Sequence, residues 1–304
     1  MKKLLALVLA FVMVLSVFTA CNTSPNGGGS GDAGDTNTGE NDGDGASKPE
    51  ANPITDFEYS VKKDSVSITG YIGTSKTVVF PDTIAGRPVT IIGGHLLDGE
   101  NEMRSLIESV VIPDTVEIIA PRAFSRCRSL VSVDFGEGVR EIQEQAFLYC
   151  TALKKIILPP MLESIGDGAF YGCSSAEEIF IPKTLEFWKT NLDYVFFGEC
   201  DSLKMLTFED GLETIGNYGA FTSMTLEKVV FPSSLKRLDD MSFNQCPLLK
   251  TVIFLGDAPE VGAGYVFGLY EVPENLIIYY DPGAKGWDET PLKHYTLVPL
   301  PQDQ

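Results

Sequence analysis

Downstream of about residue 107 the apolar positions repeat one short theme. Runs such as Leu130-Val133-Phe135, Leu153-Ile156-Leu158, Leu203-Leu206-Phe208 and Leu226-Val229-Phe231 end with apolar residues at alternate places. That alternation predicts a strand with one buried face. Pro159 and Pro232 follow directly, and proline supplies no donor to continue a ladder. A shorter Leu/Val-x-x-Ile run comes next, as in Val139–Ile142, Leu162–Ile165 and Leu212–Ile215. Glycines such as Gly166 and Gly216 then allow a turn.

Between these runs Phe recurs at 124, 147, 170, 197, 221, 243 and 267, with gaps of 23, 23, 27, 24, 22 and 24 residues. Ala precedes it at 123, 146, 169 and 220. Cys follows three residues later at 127, 150, 173, 200 and 246, with Met224 and Tyr270 in that place in the other two units. A unit of about 23 residues cannot bury its own apolar face, but stacked units share one continuous core. The prediction is a β-rich solenoid with Phe124, Phe147, Phe170, Phe197, Phe221, Phe243 and Phe267 as an inner aromatic ladder. Cys127, Cys150, Cys173, Cys200 and Cys246, small and weakly polar, are expected beside it as buried thiols. Two irregularities stand out. The unit after Pro182 is about four residues longer and holds Phe187, Trp188, Asn191 and Tyr194, so it is expected to bulge. Near residue 96 a Leu replaces the ladder Phe.

The theme Leu162-x-x-Ile165, Ala169-Phe170, Cys173, Ala176, Ile179-x-Ile181-Pro182 resembles the BspA-type leucine-rich repeats of bacterial surface proteins. The resemblance reaches back to Asp56–Tyr59 and Ile68–Gly73, which look like the N-terminal hairpin of such proteins. It runs forward through Phe254–Pro259, Ile277–Tyr280 and Gly286-Trp287. It implies a repeat array of about 23-residue units with an N-terminal hairpin cap and a C-terminal strand cap. It also implies a surface protein that binds a protein or glycan ligand. The expected organisation is 1–20 signal peptide, 21–52 lipidated Cys and tether, 53–106 cap and first degenerate repeat, 107–256 repeats, and 257–304 last repeat and cap.

The N-terminal expectation comes from the residues themselves. Lys2 and Lys3 precede a 15-residue apolar run, Leu4–Phe18, too short to span a bilayer comfortably but suited to a signal peptide. Phe18-Thr19-Ala20-Cys21 resembles a bacterial lipobox, although Phe18 stands where Leu is usual; Cys21 is the expected lipidation site and the lipid the only anchor. Residues 22–52 hold six acids, one base, no aromatic and no Leu, Ile or Val. Such a segment cannot offset its ordering entropy by burial. As a flexible coil it spans about 30 Å r.m.s..

Composition removes several functions. Of the 304 residues 42 are acidic and 23 are Lys or Arg, giving a formal charge of −19 and no basic block. That argues against nucleic acid as a partner. Two distant histidines, His95 and His294, leave little room for a His-based triad or a His-rich metal site, and no CxxC pair occurs. No HExxH, nucleophile elbow or phosphate loop is present, and Gly262–Gly268 misses dinucleotide spacing by one residue. An enzyme is therefore not expected, nor a cofactor or a metal.

Strand alternation directs one column outward: Val111, Asp134, Ile157, Phe180, Thr207, Val230 and Ile253. Its mostly apolar members, with Trp188 and Tyr194 of the bulge as a rim, form the candidate binding face. Ile157, Phe180 and Val230 are expected to be exposed. The competing readings are that β-branched residues merely suit a strand, that the C-terminal region covers them, or that Trp188 turns inward. At the level of function the alternative is an envelope scaffold without a soluble ligand.

Overall fold

The structure, a computed structural model, describes residues 49–93, 96, 102–185, 197–216, 223–243, 246–263, 265–267 and 273–301. Cys21, Phe187, Trp188, Asn191, Tyr194, Phe221 and Tyr270 lie outside the described residues.

Five strands open the unit: β1 (Phe57–Val61), β2 (Val66–Tyr71), β3 (Thr77–Val79), β4 (Thr83–Ile84) and β5 (Arg87–Ile92). Long and short strands then alternate as β6 (Ser109–Val111), β7 (Ile118–Ile119), β8 (Ser132–Asp134), β9 (Glu141–Ile142), β10 (Lys155–Ile157) and β11 (Ser164–Ile165). The series continues with β12 (Glu178–Ile181), β13 (Met205–Phe208), β14 (Thr214–Ile215), β15 (Lys228–Phe231), β16 (Arg237–Leu238) and β17 (Thr251–Phe254). β18 (Ile277–Tyr280) and β19 (Thr296–Pro299) complete it.

Equivalent strands of successive coils pair in parallel. The long strands stack as β10-β12-β13-β15-β17-β18-β19, with a separate β3-β6-β8 stack before them. The short strands stack as β1-β2-β5-β7-β9-β11, within which β1 and β2 form an antiparallel hairpin. The Phe segments add a third ladder of backbone bonds. Phe124 N–H donates to Ala146 O at 2.7 Å, Phe147 N–H to Ala169 O at 2.8 Å, and Tyr149 N–H to Tyr171 O at 2.8 Å. The fold is thus a β-solenoid whose three runs per coil each satisfy the coil beside it.

Left-handed residues flank the ladder Phe and turn the coil, one on each side at Phe124, Phe147 and Phe170. Arg122, Gln145, Gly168 and Met241 lie two residues before it, with φ near +60°. Arg126, Tyr149, Gly172 and Glu199 lie two after it. Left-handed backbone costs a side-chain-bearing residue about 1 kcal/mol or more, so stacking must offset that cost at most coils. Gly172 has a second reason to be Gly: a Cβ there would meet Cδ1 of Tyr149 at 2.2 Å.

The core follows the predicted columns. Phe124, Phe147 and Phe170 are fully buried and stack at 5.1 and 5.0 Å between centroids, and Phe197 follows at 5.8 Å. Phe243 and Phe267 are also buried. A second aromatic ladder lies at the ends of the long strands: Phe208 and Phe231 stack at 5.6 Å, Phe231 and Phe254 at 4.7 Å, and Trp287 packs on Phe254 and Tyr280. Leu96 is buried where the first coil lacks a ladder Phe.

The five repeat cysteines are buried and free. Cys150 Sγ–H donates to Phe124 O at 3.2 Å and Cys173 Sγ–H to Phe147 O at 3.5 Å. The column therefore joins neighbouring coils through a small, weak donor. Burial pushes the Cys127 and Cys200 thiols up to about 12 and Cys246 to about 11. One assignment from the sequence is corrected. Met224 is 67% exposed and is not the inward residue of its coil. Ser223 sits beside Cys246 in that place, because this coil is one residue short between its Phe and the following Leu226.

Charges also follow the stacking. Lys155 pairs with Glu178 at 2.6 Å, Lys236 with Glu213 at 2.6 Å and Lys250 with Glu227 at 3.2 Å, each one coil apart. Exposed pairs of this kind are worth about 0.2–1 kcal/mol each.

Candidate functional site

The long strands place the predicted outward column in a single register. Ile157 aligns with Phe180, Phe180 with Thr207, Thr207 with Val230, and Val230 with Ile253. The column then continues through Tyr279 and Val298, which sequence reasoning did not include. The strand alternation of Ile277–Tyr280 was visible, but the spacing from Ile253 to Tyr279 departs from the 23-residue period. Six steps of about 4.8 Å make this column about 29 Å long.

Exposure along it is uneven. Ile157 is 39% exposed, on the strand that ends this sheet, where Phe180 is its one ladder partner. Phe180, Thr207, Ile253, Tyr279 and Val298 are half-buried. Val230 is 9% exposed, which overturns its expected exposure. Its short side chain is shielded by Thr207 and Ile253 on both sides of an interior strand.

Val111 does not join this column. It lies on the separate β3-β6-β8 stack, and the exposed Asp134 of β8 intervenes. Val111 instead lines a groove of about 460 Å³ with Val79, Phe135 and Pro49, edged by Asp82, Asp114 and Glu137.

The row beside the column carries Lys155, Glu178, Met205, Lys228, Thr251, Ile277 and Thr296 in the same register. The Lys155–Glu178 pair occupies its charges at one end, and from β17 to β19 the two rows hold no charged residue. The face is flat, apolar to hydroxylic, and suited to contact with another surface rather than to enclosing a small molecule. Among the described residues no group of three or more His, Cys, Asp or Glu side chains could hold a metal ion, and no helix is long and apolar enough to cross a membrane.

The family model described as BspA type leucine-rich repeat region matches residues 102–195 and 189–267, six copies in all. The chain belongs to the BspA-type leucine-rich repeat family. Solved structures agree on the fold of this BspA-type array. A leucine-rich repeat protein of T. pallidum shares 27% identity, with a TM-score of 0.50 over 75% of this chain and 92% of that one. A leucine rich cell surface protein of Faecalibacterium prausnitzii A2-165 shares 22% identity, with a TM-score of 0.50 over 79% of this chain and 73% of that one. No curated protein matches the chain. Membership in this family, whose members are typically non-enzymatic, suggests a repeat-based interaction or scaffold module.

Proposed function

We propose that the chain is an extracytoplasmic, lipid-anchored surface protein that binds a protein partner through the column Ile157 to Val298. The observation that carries this reading is the uninterrupted, weakly charged column across seven parallel strands, ending in two rows free of charge. Half-buried Phe180 and Tyr279 are its aromatic members, and aromatic side chains dominate binding energy at protein interfaces. Anchoring is supported by Leu4–Phe18, by Thr19-Ala20-Cys21 and by the acidic tether that follows.

The test uses the immobilised chain and its Phe180→Asp variant to capture proteins from extracellular material. Saturable capture that falls about 30-fold in the variant at an unchanged melting temperature supports the site, since hot-spot truncation costs about 2 kcal/mol or more. Absence of saturable capture favours the scaffold reading instead. Cys21→Ala is expected to remove the protein from the membrane fraction; normal processing and retention of that variant would defeat the anchor.

A further inference from the structure

The end strands of the array are treated differently. At β3, Asn52 N–H donates to Val79 O at 2.9 Å, and Val79 N–H donates to Asn52 Oδ1 at 2.7 Å. Ser75 Oγ–H takes Thr77 O at 2.7 Å. That edge is closed to further pairing. At the other end β19 finishes in Pro299, which cannot donate. β1 has neither device. Among the described strands it pairs only with β2, and it is the end strand of its sheet.

The hydrogen-bond phase of that open edge can be read off. Lys62 N–H donates to Ser65 O at 2.8 Å, and Ser60 faces Ser67 two residues on. Antiparallel pairs alternate between bonded and non-bonded. Lys62 and Ser60 therefore spend their backbone groups on β2, and Tyr59 and Val61 turn theirs outward. The extra residue of the hairpin's bulge is on β2, so β1 alternates without a break. Phe57, Tyr59 and Val61 share the core-side face, but only Phe57 is buried; Tyr59 is 42% and Val61 50% exposed. Glu58, Ser60 and Lys62 share the other face and are exposed.

We propose that β1 is a homodimerisation edge, in which two copies of the chain pair antiparallel about a two-fold axis at Ser60. The strand is self-complementary in that register. Tyr59 faces Val61 of the partner subunit as a hydrogen-bonded pair, and Val61 faces Tyr59 of the partner subunit, giving four backbone bonds. Each is an aromatic–β-branched pair, a favourable cross-strand combination. On the opposite face Glu58 meets Lys62 of the partner subunit, and Lys62 meets Glu58 of the partner subunit, so the two-fold makes two ion pairs from one strand. Shifting the register by two residues loses both: one direction sets Glu58 against Ser60, the other sets it against Asp64. The edge stops at Lys63, whose carbonyl already accepts from Arg87 Nε at 3.1 Å. The interface is small, so the dimer is weak in dilute solution. Held side by side on a surface, two such copies would present two sheet faces at once, which raises avidity without new contacts.

Ser60→Cys in the full chain tests the register. Ser60 faces itself across the axis as a non-bonded pair, where Cα atoms lie about 4.5 Å apart, within the range a disulfide spans. Mild oxidation is expected to give a covalent dimer absent from the parent chain. Glu58→Cys alone is not expected to crosslink, since two such residues lie about 14 Å apart in this register, whereas a mixture of Glu58→Cys and Lys62→Cys chains is. Sedimentation is expected to show Glu58→Lys weakening the dimer about tenfold, through like charges at two symmetric positions, and Glu58→Lys with Lys62→Glu restoring it to within about threefold of the parent. Failure of Ser60→Cys to crosslink, self-crosslinking of Glu58→Cys, or a monomeric parent at concentrations of several hundred micromolar overturns the proposal.

Discussion

Phe170→Ala is the substitution that most directly tests the inner ladder. Phe170 is fully buried, with its ring 5.0 Å from Phe147 at an interplanar angle of 2° and 5.8 Å from Phe197 at 25°. Truncating a buried Phe to Ala costs about 3–5 kcal/mol from lost transfer energy and the cavity left behind. Two stacked neighbours, each worth about 0.5–1.5 kcal/mol beyond area, place this site at the upper end of that range. Phe170→Leu keeps most of the volume and loses both stacks, so about 2 kcal/mol is expected. Denaturant unfolding of the two variants reads these values. Hydrogen exchange then locates the damage. Coils touch only their neighbours, so protection should fall first at Phe147 N–H, which bonds Ala169 O, and at Gly172 N–H, which bonds Gly198 O. Amides of β17 should be affected last. If Ala and Leu both cost less than about 1 kcal/mol, or if protection fell evenly along the array, the ladder would not be the element that joins the coils.

Gly172→Ala should cost more than Gly168→Ala in thermal melting, about 2–3 against about 1 kcal/mol. Both have positive φ, at 74° and 60°, but only at 172 does the new Cβ strike the Tyr149 ring, the nearest atoms to it at 168 being 3.6 Å away. Stability should also fall as pH rises above about 9. Burial holds the Cys127 and Cys200 thiols up to about 12 and Cys246 to about 11, while unfolded thiols ionise near their ordinary value. Between those values the folded state binds more protons than the unfolded one, so each such thiol removes about 1 kcal/mol per pH unit. Cys127→Ala should flatten that slope in pH-dependent denaturation; an unchanged slope would mean that the thiol is not the titrating group.

The sequence by itself determined what depends on local pattern. Alternation within each long run chose the buried face, and the 23-residue return of Phe and Cys marked which residues meet between coils. The free, buried state of the thiols follows from the same parallel stacking. Even the second aromatic ladder was implicit, since Phe208, Phe231 and Phe254 are spaced at 23 residues. Ser223 was legible as well, by counting back three residues from Leu226 instead of forward from the Phe. What only the tertiary structure decided is what depends on neighbours. Val230 and Ile157 occupy the same outward position, yet one is covered and the other exposed, because one strand has partners on both sides and the other ends its sheet. Tyr279 and Val298 join the column only through hydrogen-bonded register, since the chain between them and β17 abandons the period. The open edge of β1 belongs to the same class. A strand's sequence specifies which side chains share a face, but whether its backbone groups are spent depends on which segments the fold brings alongside.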